Sequence, residues 1–246
     1  MKISIVGIKI DALKFNDVIN RVEEYMRDGK KHIIVTPNPE MIVMAYKDRE
    51  FFNILNNADL AISDGIGLRL GAFLLGKNIP ERVTGTDLVD KIAAISHKKN
   101  IRIYLLGAAE GVAAKAAEEL LNKYGALIAG SYSGSYSVAD EHEIISRINK
   151  TKADVLFVAF GAVNQEKWIH RNMDKLHIKL AIGIGGALDY VSKKKSRAPL
   201  WVQKIGLEWF YRLICEPQRF RRQIRLPHFL FLVLRERFGL FDRNNG

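Results

Sequence analysis

The first 190 residues alternate short apolar runs with longer segments of helical periodicity, and this alternation limits the fold more than any other feature. Runs that are apolar at nearly every position are typical of strands buried on both faces, and helices between such strands indicate a parallel sheet. The sequence therefore predicts an α/β fold, a Rossmann-like parallel sheet with helices on both faces. The predicted strands lie at 2–8, 32–36, 59–63, 101–106, 126–129, 154–160 and 179–184, and helices are predicted at 13–26, 40–47, 84–95, 111–124 and 141–149.

The pattern changes after residue 195. Pro199 opens a segment with apolar residues at helical spacing, and Pro217 and Pro227 are expected to divide the remainder into two further short helices. Residues 193–243 hold 13 Lys or Arg and 4 acidic residues, whereas the rest of the chain holds 25 and 23. We therefore predict an α/β domain at 1–195 and a basic amphipathic helical appendage at 196–246. Its charge indicates an acidic partner or, alternatively, a solubilising surface.

Composition and cysteine content exclude several classes of protein. Hydrophobic residues make up 48% of the chain and charged residues 26%, as in globular domains and unlike disordered or collagen-like chains. Cys215 is the single cysteine, which excludes an intramolecular disulfide and a multi-cysteine metal site. Lys9 and Asp11 interrupt the apolar stretch that a signal peptide would need. The apolar run at 229–234 is far shorter than the ~20 residues that cross a membrane, so no spanning helix is expected.

Polar side chains follow two of the predicted strands, at the edge where open parallel sheets bind ligands. Asp64 ends an apolar run and precedes a glycine, which fits either a general base or an aspartate that stabilises a turn. Thr36 and Asn38 fit either a helix cap or contacts to a substrate. Arg82 fits either a surface ion pair or a clamp on a diphosphate, since guanidinium binds phosphate through paired donors.

Glycines follow the other predicted strands, where they let backbone N–H groups approach a phosphate closely. The chain has no GxxxxGK[ST] or GxSxG motif, and the stretch at 65–71 departs from GxGxxG because its third glycine is one residue late. The six histidines show no metal-ligand spacing. We therefore expect neither ATP-type phosphoryl transfer nor covalent hydrolysis, and we expect no metal and no cofactor. The glycines in question are Gly107, Gly134, Gly161, Gly185 and Gly186.

Sequence blocks occur in a fixed order along almost the whole chain: TPNPE (36–40), DGIG (64–67), PERVTGTDL (80–88), LLG (105–107), FG (160–161), QE (165–166), GIGGALD (183–189), RAP (197–199) and LEWFYRL (207–213). Together they resemble the signature blocks of the WecG/TagA/CpsF glycosyltransferases. Two positions depart from the family pattern. Asn164 stands where members usually have Lys or Arg, and no glycine precedes Arg197-Ala198-Pro199.

The resemblance implies an inverting transferase. It would move N-acetylmannosamine from its UDP sugar to the 4-hydroxyl of N-acetylglucosamine diphosphate linked to a polyprenyl lipid, which builds the teichoic acid linkage unit. Asp64 would be the base that activates that hydroxyl, and Arg82 would stabilise charge on the leaving UDP. Thr36 and Asn38 would orient the sugar. The groups implied to hold the nucleotide are Gln165, Gly107, Gly134, Tyr136, Gly185 and Gly186.

A lipid-linked acceptor also gives the basic appendage a role, because cationic amphipathic helices bind anionic membrane surfaces. We expect Arg212, Arg219 and Arg222 to contact lipid head groups or the acceptor diphosphate. The chain would then be cytoplasmic and peripheral on the inner face of the plasma membrane, with no nucleic acid partner. Whether it forms a homo-oligomer is open. Three aromatic residues would be interfacial anchors or, alternatively, close the core or a subunit interface: Trp201, Trp209 and Phe210.

Three rival hypotheses are kept. A member of the same family with another donor, such as the uronic acid of UDP-N-acetylmannosamine or UDP-glucose, would release UDP from that donor instead. A non-catalytic polyanion-binding module would bind RNA with strong salt dependence and would tolerate loss of Asp64. A nicotinamide-dependent oxidoreductase would bind the cofactor, which the incomplete glycine motif at 65–71 disfavours.

Overall fold

A computed structural model describes residues 1–204, 206–217, 220 and 224–240. Its strands are β1 (Lys2–Ile5), β2 (Ile8–Asp11), β3 (His32–Val35), β4 (Leu60–Ala61), β5 (Ile103–Gly107), β6 (Ile128–Tyr132), β7 (Val155–Ala159) and β8 (Leu180–Gly183). Its helices are α1 (Phe15–Tyr25), α2 (Pro39–Lys47), α3 (Arg49–Asn57), α4 (Ile66–Leu74), α5 (Gly85–Lys99), α6 (Val112–Tyr124), α7 (Glu141–Lys150), α8 (Asn164–Asn172), α9 (Ala187–Val191), α10 (Leu200–Lys204), α11 (Glu208–Cys215) and α12 (Arg225–Arg237).

Six strands form one parallel sheet in the order β4–β3–β8–β7–β5–β6, which confirms the predicted fold class. All residues of β5 and β7 are buried, because helices cover the sheet on both faces. Their side chains alternate between two clusters. Leu105 and Phe157 pack toward α1, α5, α6 and α9, whereas Leu106 and Val158 pack toward α7 and α8. This alternation fixes the register of the central strands.

The prediction of one strand at 2–8 was wrong. β1 and β2 form a separate antiparallel hairpin around the two-residue turn Val6-Gly7. Both turn residues have positive φ, 52° and 75°, as a turn that matches the strand twist requires. Valine rarely adopts this conformation, so the sequence carried no recognisable turn signal. The Val6 N–H donates to Glu236 of α12, which joins the two ends of the chain.

Two other local predictions need correction. The strand predicted at 126–129 lies at Ile128–Tyr132, so it begins and ends later than expected. Helices α3, α4, α8 and α9 were not predicted. Asp48 caps α3 by accepting from the Phe51 N–H at 3.0 Å. The glycine-rich stretch at 65–71 forms the start of α4, where its glycines serve helix packing.

The C-terminal helices exist as predicted, and α10 begins directly after Pro199. Pro227, however, lies in the first turn of α12 and does not separate two helices. A helix tolerates proline there because first-turn N–H groups have no intrahelical acceptor. Phe229, Leu232 and Val233 of α12 are buried among the hairpin, α2 and α4. The domain boundary at 195/196 stays a prediction, but α12 is packed into the core of the body.

Phe229→Ala is therefore expected to destabilise the protein by about 3–4 kcal/mol, because Phe229 is fully buried and its removal leaves a cavity. Phe231, two residues further along α12, is exposed, so Phe231→Ala is expected to change the free energy of unfolding by less than about 0.5 kcal/mol. Urea unfolding of both variants measures the difference. Equal stability of the two variants would contradict the packing of α12 as described.

Candidate active site at the carboxyl edge of the sheet

Asp64 lies between β4 and α4, at the carboxyl edge of the sheet. Its backbone N–H donates to the carbonyl of Pro37 at 2.9 Å, which ties it to the loop after β3. Gly65 has φ of 91°, a conformation that favours glycine, and it lets α4 start directly after the aspartate. The Asp-Gly pair thus forms a turn and also holds a carboxylate at the edge where parallel sheets bind ligands.

The surroundings of Asp64 give it a higher pKa than that of an ordinary aspartate. Burial raises the pKa of Asp64 to about 6. Arg212 and Arg82 oppose this shift, whereas Glu208 and Asp87 reinforce it. The residue nevertheless keeps part of its surface open to solvent. A partly accessible carboxyl with such a pKa is ionised at neutral pH and is a better proton acceptor than an ordinary aspartate, as a general base requires.

Glu208, in the first turn of α11, is buried and gathers three arginines. Arg82 donates from Nη1 to its Oε2 at 2.8 Å, and Arg212, one turn along α11, donates from Nη2 to its Oε1. Arg197 Nε lies 3.7 Å from the same Oε1. Burial alone would raise the pKa of Glu208, but the three guanidinium groups hold it below its usual value. One carboxylate thus positions three cations, two of which act on Asp64.

The same cluster reaches the start of α5. Arg197 Nη1 lies 2.7 Å from Asp87 Oδ1, and Thr84 Oγ1 donates to Asp87 Oδ2 at 2.7 Å. Thr84 also caps α5 by accepting from the Asp87 N–H at 3.1 Å, which confirms the predicted helix start. The end of the loop that carries Arg82 is therefore tied to α5 by Thr84 and to α11 by Arg82 itself.

Thr36 and Gln165 connect the loops at the ends of β3, β7 and β8. Thr36 is buried, and its Oγ1 donates to the Gly183 carbonyl at 2.9 Å. Gln165 is buried as well, and its Oε1 accepts from the Gly185 N–H at 2.9 Å. Each side chain therefore uses one polar atom for a hydrogen bond within the protein, and the two bonds hold the end of β8 and the loop after it. Their contacts to substrate stay predictions.

Glu166 completes this network. Its Oε1 accepts from Gln165 Nε2 at 2.6 Å, and its Oε2 accepts from the Val163 N–H at 2.8 Å. Burial raises the pKa of Glu166 to about 7, while the hydrogen bond from Gln165 opposes the shift. Glu166 fixes which way the Gln165 amide points, and through it the position of the Gly185 N–H.

Glu166→Gln is expected to change how stability depends on pH. In the native chain a raised folded-state pKa means that the folded protein binds more protons, so stability is lost as pH rises from about 4.5 through about 7. The variant lacks this loss, and its stability relative to the native chain should therefore increase across that interval. Thermal unfolding at several pH values between 4.5 and 8 measures the difference. A constant difference across the interval would contradict the raised pKa.

The remaining glycines and Asn38 have identifiable structural roles. Asn38 Oδ1 accepts from the Met41 N–H at 3.0 Å, so Asn38 caps α2, while its contact to the substrate stays a prediction. Gly185 has φ of 55°, and Gly186 precedes α9. Gly107 ends β5 with φ of 103°, and a Cβ there would lie 2.8 Å from the Ala159 carbonyl, so a side chain would collide with β7.

A pocket of about 600 Å³ opens over the carboxyl ends of β5 and β6. Its lining includes Ala108, Gly111, residues 131–135 and Asp140. The pocket lies next to the boundary between β5 and β7. These two strands lead into α6 and α8, which pack on opposite faces of the sheet, and open α/β sheets bind ligands at such a boundary. Gly134 lines the pocket, and its contact to a nucleotide stays a prediction. Tyr136 is not part of the lining; its ring lies 6.2 Å from that of Phe160.

The three predicted acceptor arginines differ in what the structure says of them. Arg212 belongs to the Glu208 cluster, and its guanidinium carbon lies 4.6 Å from the centre of the Tyr190 ring. Arg219 and Arg222 lie outside the described residues. The predicted interfacial aromatics are all exposed, which contradicts the alternative that they close the core: Trp201, Trp209 and Phe210.

Three residues that complete the site had no predicted role: Glu208, Arg197 and Glu166. All three lay inside the sequence blocks that carry the family resemblance. Glu208 is also one of only four acids in the basic segment 193–243, and an isolated acid among many cations is a signal for an internal ion pair. The burial of Glu166 follows from packing and had no such signal.

Within the described part of the chain, no three His, Cys, Asp or Glu side chains are grouped so that they could hold a metal ion. The expectation of a metal-independent reaction stays a prediction. Likewise, none of the described helices is both long enough and apolar enough to cross a membrane.

A parallel α/β sheet with a carboxylate of raised pKa and clustered arginines at its carboxyl edge defines an α/β enzyme with acid–base and anion-binding groups. The sequence model of the glycosyl transferase WecG/TagA/CpsF family matches residues 3–243, and the chain belongs to that family. The predicted family is thereby confirmed, and with it the prediction of an enzyme that is a glycosyltransferase.

Characterised relatives align over most of their length. The chain is 33% identical to the N-acetylglucosaminyldiphosphoundecaprenol N-acetyl-beta-D-mannosaminyltransferase of Bacillus subtilis (strain 168), over 89% of this chain and 85% of that protein. It is 33% identical to the enzyme of that name from Bacillus spizizenii, over 86% and 82% of the two chains. A Staphylococcus aureus (strain MRSA252) enzyme of the same name is 27% identical over 94% and 92%.

Proposed function

We propose that this chain transfers N-acetylmannosamine from UDP-N-acetylmannosamine to the 4-hydroxyl of N-acetylglucosamine linked through a diphosphate to undecaprenol. The names of the relatives from Bacillus and Staphylococcus describe this acceptor and this sugar. The observation that carries the proposal is the pairing of Asp64, a carboxylate of raised pKa, with the arginine cluster around Glu208 at one edge of the sheet.

In the proposed reaction Asp64 removes the proton from the acceptor hydroxyl as its oxygen attacks C1 of the donor sugar. The bond between C1 and the UDP oxygen breaks, UDP leaves with the electron pair, and the configuration at C1 inverts. Negative charge grows on the leaving diphosphate in the transition state, so a cation held beside the diphosphate stabilises the transition state more than the ground state. Arg82 supplies that cation, because its bond to Glu208 holds the guanidinium in place before substrate arrives.

The donor nucleotide is assigned to the pocket over β5 and β6. Gly134 and the serines at 131, 133 and 135 offer backbone and hydroxyl groups beside the ring of Tyr132, and the volume of about 600 Å³ is in the range of ligand sites. Gln165 and the Gly185-Gly186 loop lie between this pocket and Asp64 in the strand order, and we assign them to the diphosphate and sugar. Thr36 and Asn38 are assigned to the sugar.

We place the chain as a peripheral protein on the cytoplasmic face of the plasma membrane. The names of the relatives include an acceptor linked to undecaprenol, and such a lipid stays in the bilayer. The segment 193–243 carries the excess positive charge that anionic lipid attracts.

Release of UDP from UDP-N-acetylmannosamine, with and without a short-chain lipid-linked N-acetylglucosamine diphosphate, tests the proposal. We expect release that depends on the acceptor and is unchanged by EDTA. UDP-glucose and the uronic acid donor serve as alternative substrates, and faster release from either would identify a different donor. Absence of UDP release with all three donors would overturn the proposed transferase activity and would favour the hypothesis of a polyanion-binding module.

A further inference from the structure

Helix α4 follows Asp64 directly and packs side by side with α12. Gly67 lies against Leu226, and a Cβ on Gly71 would be 2.6 Å from Phe229 Cζ. Further along, Arg237 of α12 donates to the Leu74 carbonyl. Contacts that advance together along both helices mean that α4 and α12 run parallel. Gly71 lets the two helices approach closely, whereas a Cβ on Gly67 would collide with Pro39 of α2, whose Cγ would be 2.5 Å away. This pair of helices is therefore a tightly packed unit.

Another side of α4, about 100° around the helix from its contact with α12, is apolar but exposed. Ile66, Leu70 and Phe73 lie at helical spacing on one face, and Phe73 is 75% exposed. Leu68 and Ala72 fill the core on the other side. A helix that is apolar on its outer side as well as its inner side is typically covered by other protein or by lipid. Within the described ranges this face is open except at Ile66, where a Cβ on Gly206 would lie 3.1 Å from Ile66 Cγ1.

Helix α12 presents a matching stripe. Pro227, Phe231 and Leu234, with Phe238 just past the helix end, recur at helical spacing and are exposed. On a helical wheel this stripe is more than about 90° from the side of α12 that contacts α4, and the buried residues lie opposite the stripe. The same relation holds for α4. Because the helices are parallel, their exposed stripes point the same way and form one surface.

The charges on this surface are positive. Arg69 is the only charged residue of α4, and it is exposed next to Phe73, one turn further along the helix. Glu236, the only acid of α12, is turned inward, where it pairs with Lys77 at 3.1 Å and accepts from the Val6 N–H. An apolar surface with cations and no outward acid matches the boundary between acyl chains and anionic head groups.

We propose that the α4–α12 surface, formed by Ile66, Arg69, Leu70 and Phe73 with Phe231, Leu234 and Phe238, inserts into the interfacial layer of an anionic lipid bilayer. The surface begins two residues from Asp64, so its insertion brings the catalytic edge to the depth of a lipid-linked acceptor. The proposal deepens the proposed function, because it assigns membrane contact to a helix of the α/β body as well as to the basic C-terminal segment.

Sedimentation of the full chain with vesicles of 30% phosphatidylglycerol and 70% phosphatidylcholine tests this surface. The double variant Leu70→Ser/Phe73→Ser is expected to lower the apparent partition coefficient at least about tenfold, because two apolar side chains no longer leave water. Leu121→Ser is the matched control. Leu121 is an exposed leucine of α6, on the other face of the sheet, and its loss should change binding less than about twofold.

Both altered side chains are exposed, so thermal unfolding of the double variant should match that of the native chain within about 2 °C. UDP release with a water-soluble short-chain acceptor should also be unchanged, whereas release with acceptor embedded in vesicles should fall. The vesicle assay needs no turnover, so it remains decisive if the proposed transferase activity fails.

Vesicle binding equal to that of the native chain would overturn the proposal. So would a double variant that keeps its vesicle binding but loses self-association in sedimentation velocity, since the surface would then bind a second copy of the chain. Equal losses in the double variant and in Leu121→Ser would also overturn it, because general hydrophobicity and not this surface would then explain binding.

Discussion

Asp64→Asn is expected to lower acceptor-dependent UDP release by about 10²- to 10⁴-fold, the contribution typical of a positioned general base. The amide has nearly the same size and shape as the carboxylate but accepts no proton. Asp174→Asn is the matched control, because Asp174 is an exposed aspartate before β8, at the opposite edge of the sheet. Initial rates at saturating donor measure both variants.

The pH profile gives a second readout for Asp64. The native kcat/KM should fall below about pH 6, where the carboxyl takes up a proton and stops acting as a base. Burial that raises the pKa also makes the charged form costly in the folded protein, so stability is lost as pH rises from about 4 through about 6. The Asn variant should therefore be at least as stable as the native chain at pH 7.5.

An Asn variant that keeps its activity would leave the transferase reaction in place and move the base to another residue. A variant that is inactive and also much less stable at pH 7.5 would contradict a purely chemical role for Asp64. The combination that supports the assignment is low activity with retained or increased stability.

Glu208→Ala is expected to destabilise the protein by about 2–4 kcal/mol and to reduce UDP release at least tenfold. The substitution leaves Arg82, Arg197 and Arg212 close together without the carboxylate that compensates them, and removing one partner of a buried ion cluster is costly. Because Arg82 loses its partner, the cation for the leaving group is no longer held in place. Urea unfolding and initial rates measure the two effects.

Glu143→Ala controls for the loss of an ordinary ion pair. Glu143 pairs with Arg147 at 2.7 Å on an exposed helix surface, where such pairs contribute little. Its loss should change stability by less than about 0.5 kcal/mol. Glu208→Gln keeps the side-chain shape but not the charge. If it behaved like the native chain in both assays, the charge of Glu208 would not matter and the role assigned to the cluster would be wrong.

The sequence alone predicted the class of fold, the family and several key residues. Strands that are apolar at every position bury both faces only in a sheet that is covered by helices on both sides, so the local pattern was enough to predict the layers. Asp64 and Arg82 were identified because strand ends and sequence blocks marked them. The helix starts at Asn38 and Thr84 were identified because capping chemistry is local.

Other features depended on contacts between distant residues. The hairpin turn at Val6-Gly7 lacks the usual turn residues and is held in part by Glu236, which is 230 positions away. The raised pKa of Glu166 follows from complete burial, which no local pattern reports. Nor could sequence show that α12 belongs to the core, because Phe229 and Phe231 differ in burial although both occur in one apolar run.

What the sequence determined by itself was therefore the alternation of strands and helices in the body and the residue types at the strand ends, since periodicity and capping act over a few residues. Tertiary structure alone decided that Arg82 joins Glu208 of α11, and that α4 and α12 share one exposed apolar face. The physical reason is the same in both cases. Coulomb interaction and apolar packing depend on distances in space, and folding brings together groups that are more than one hundred residues apart along the chain.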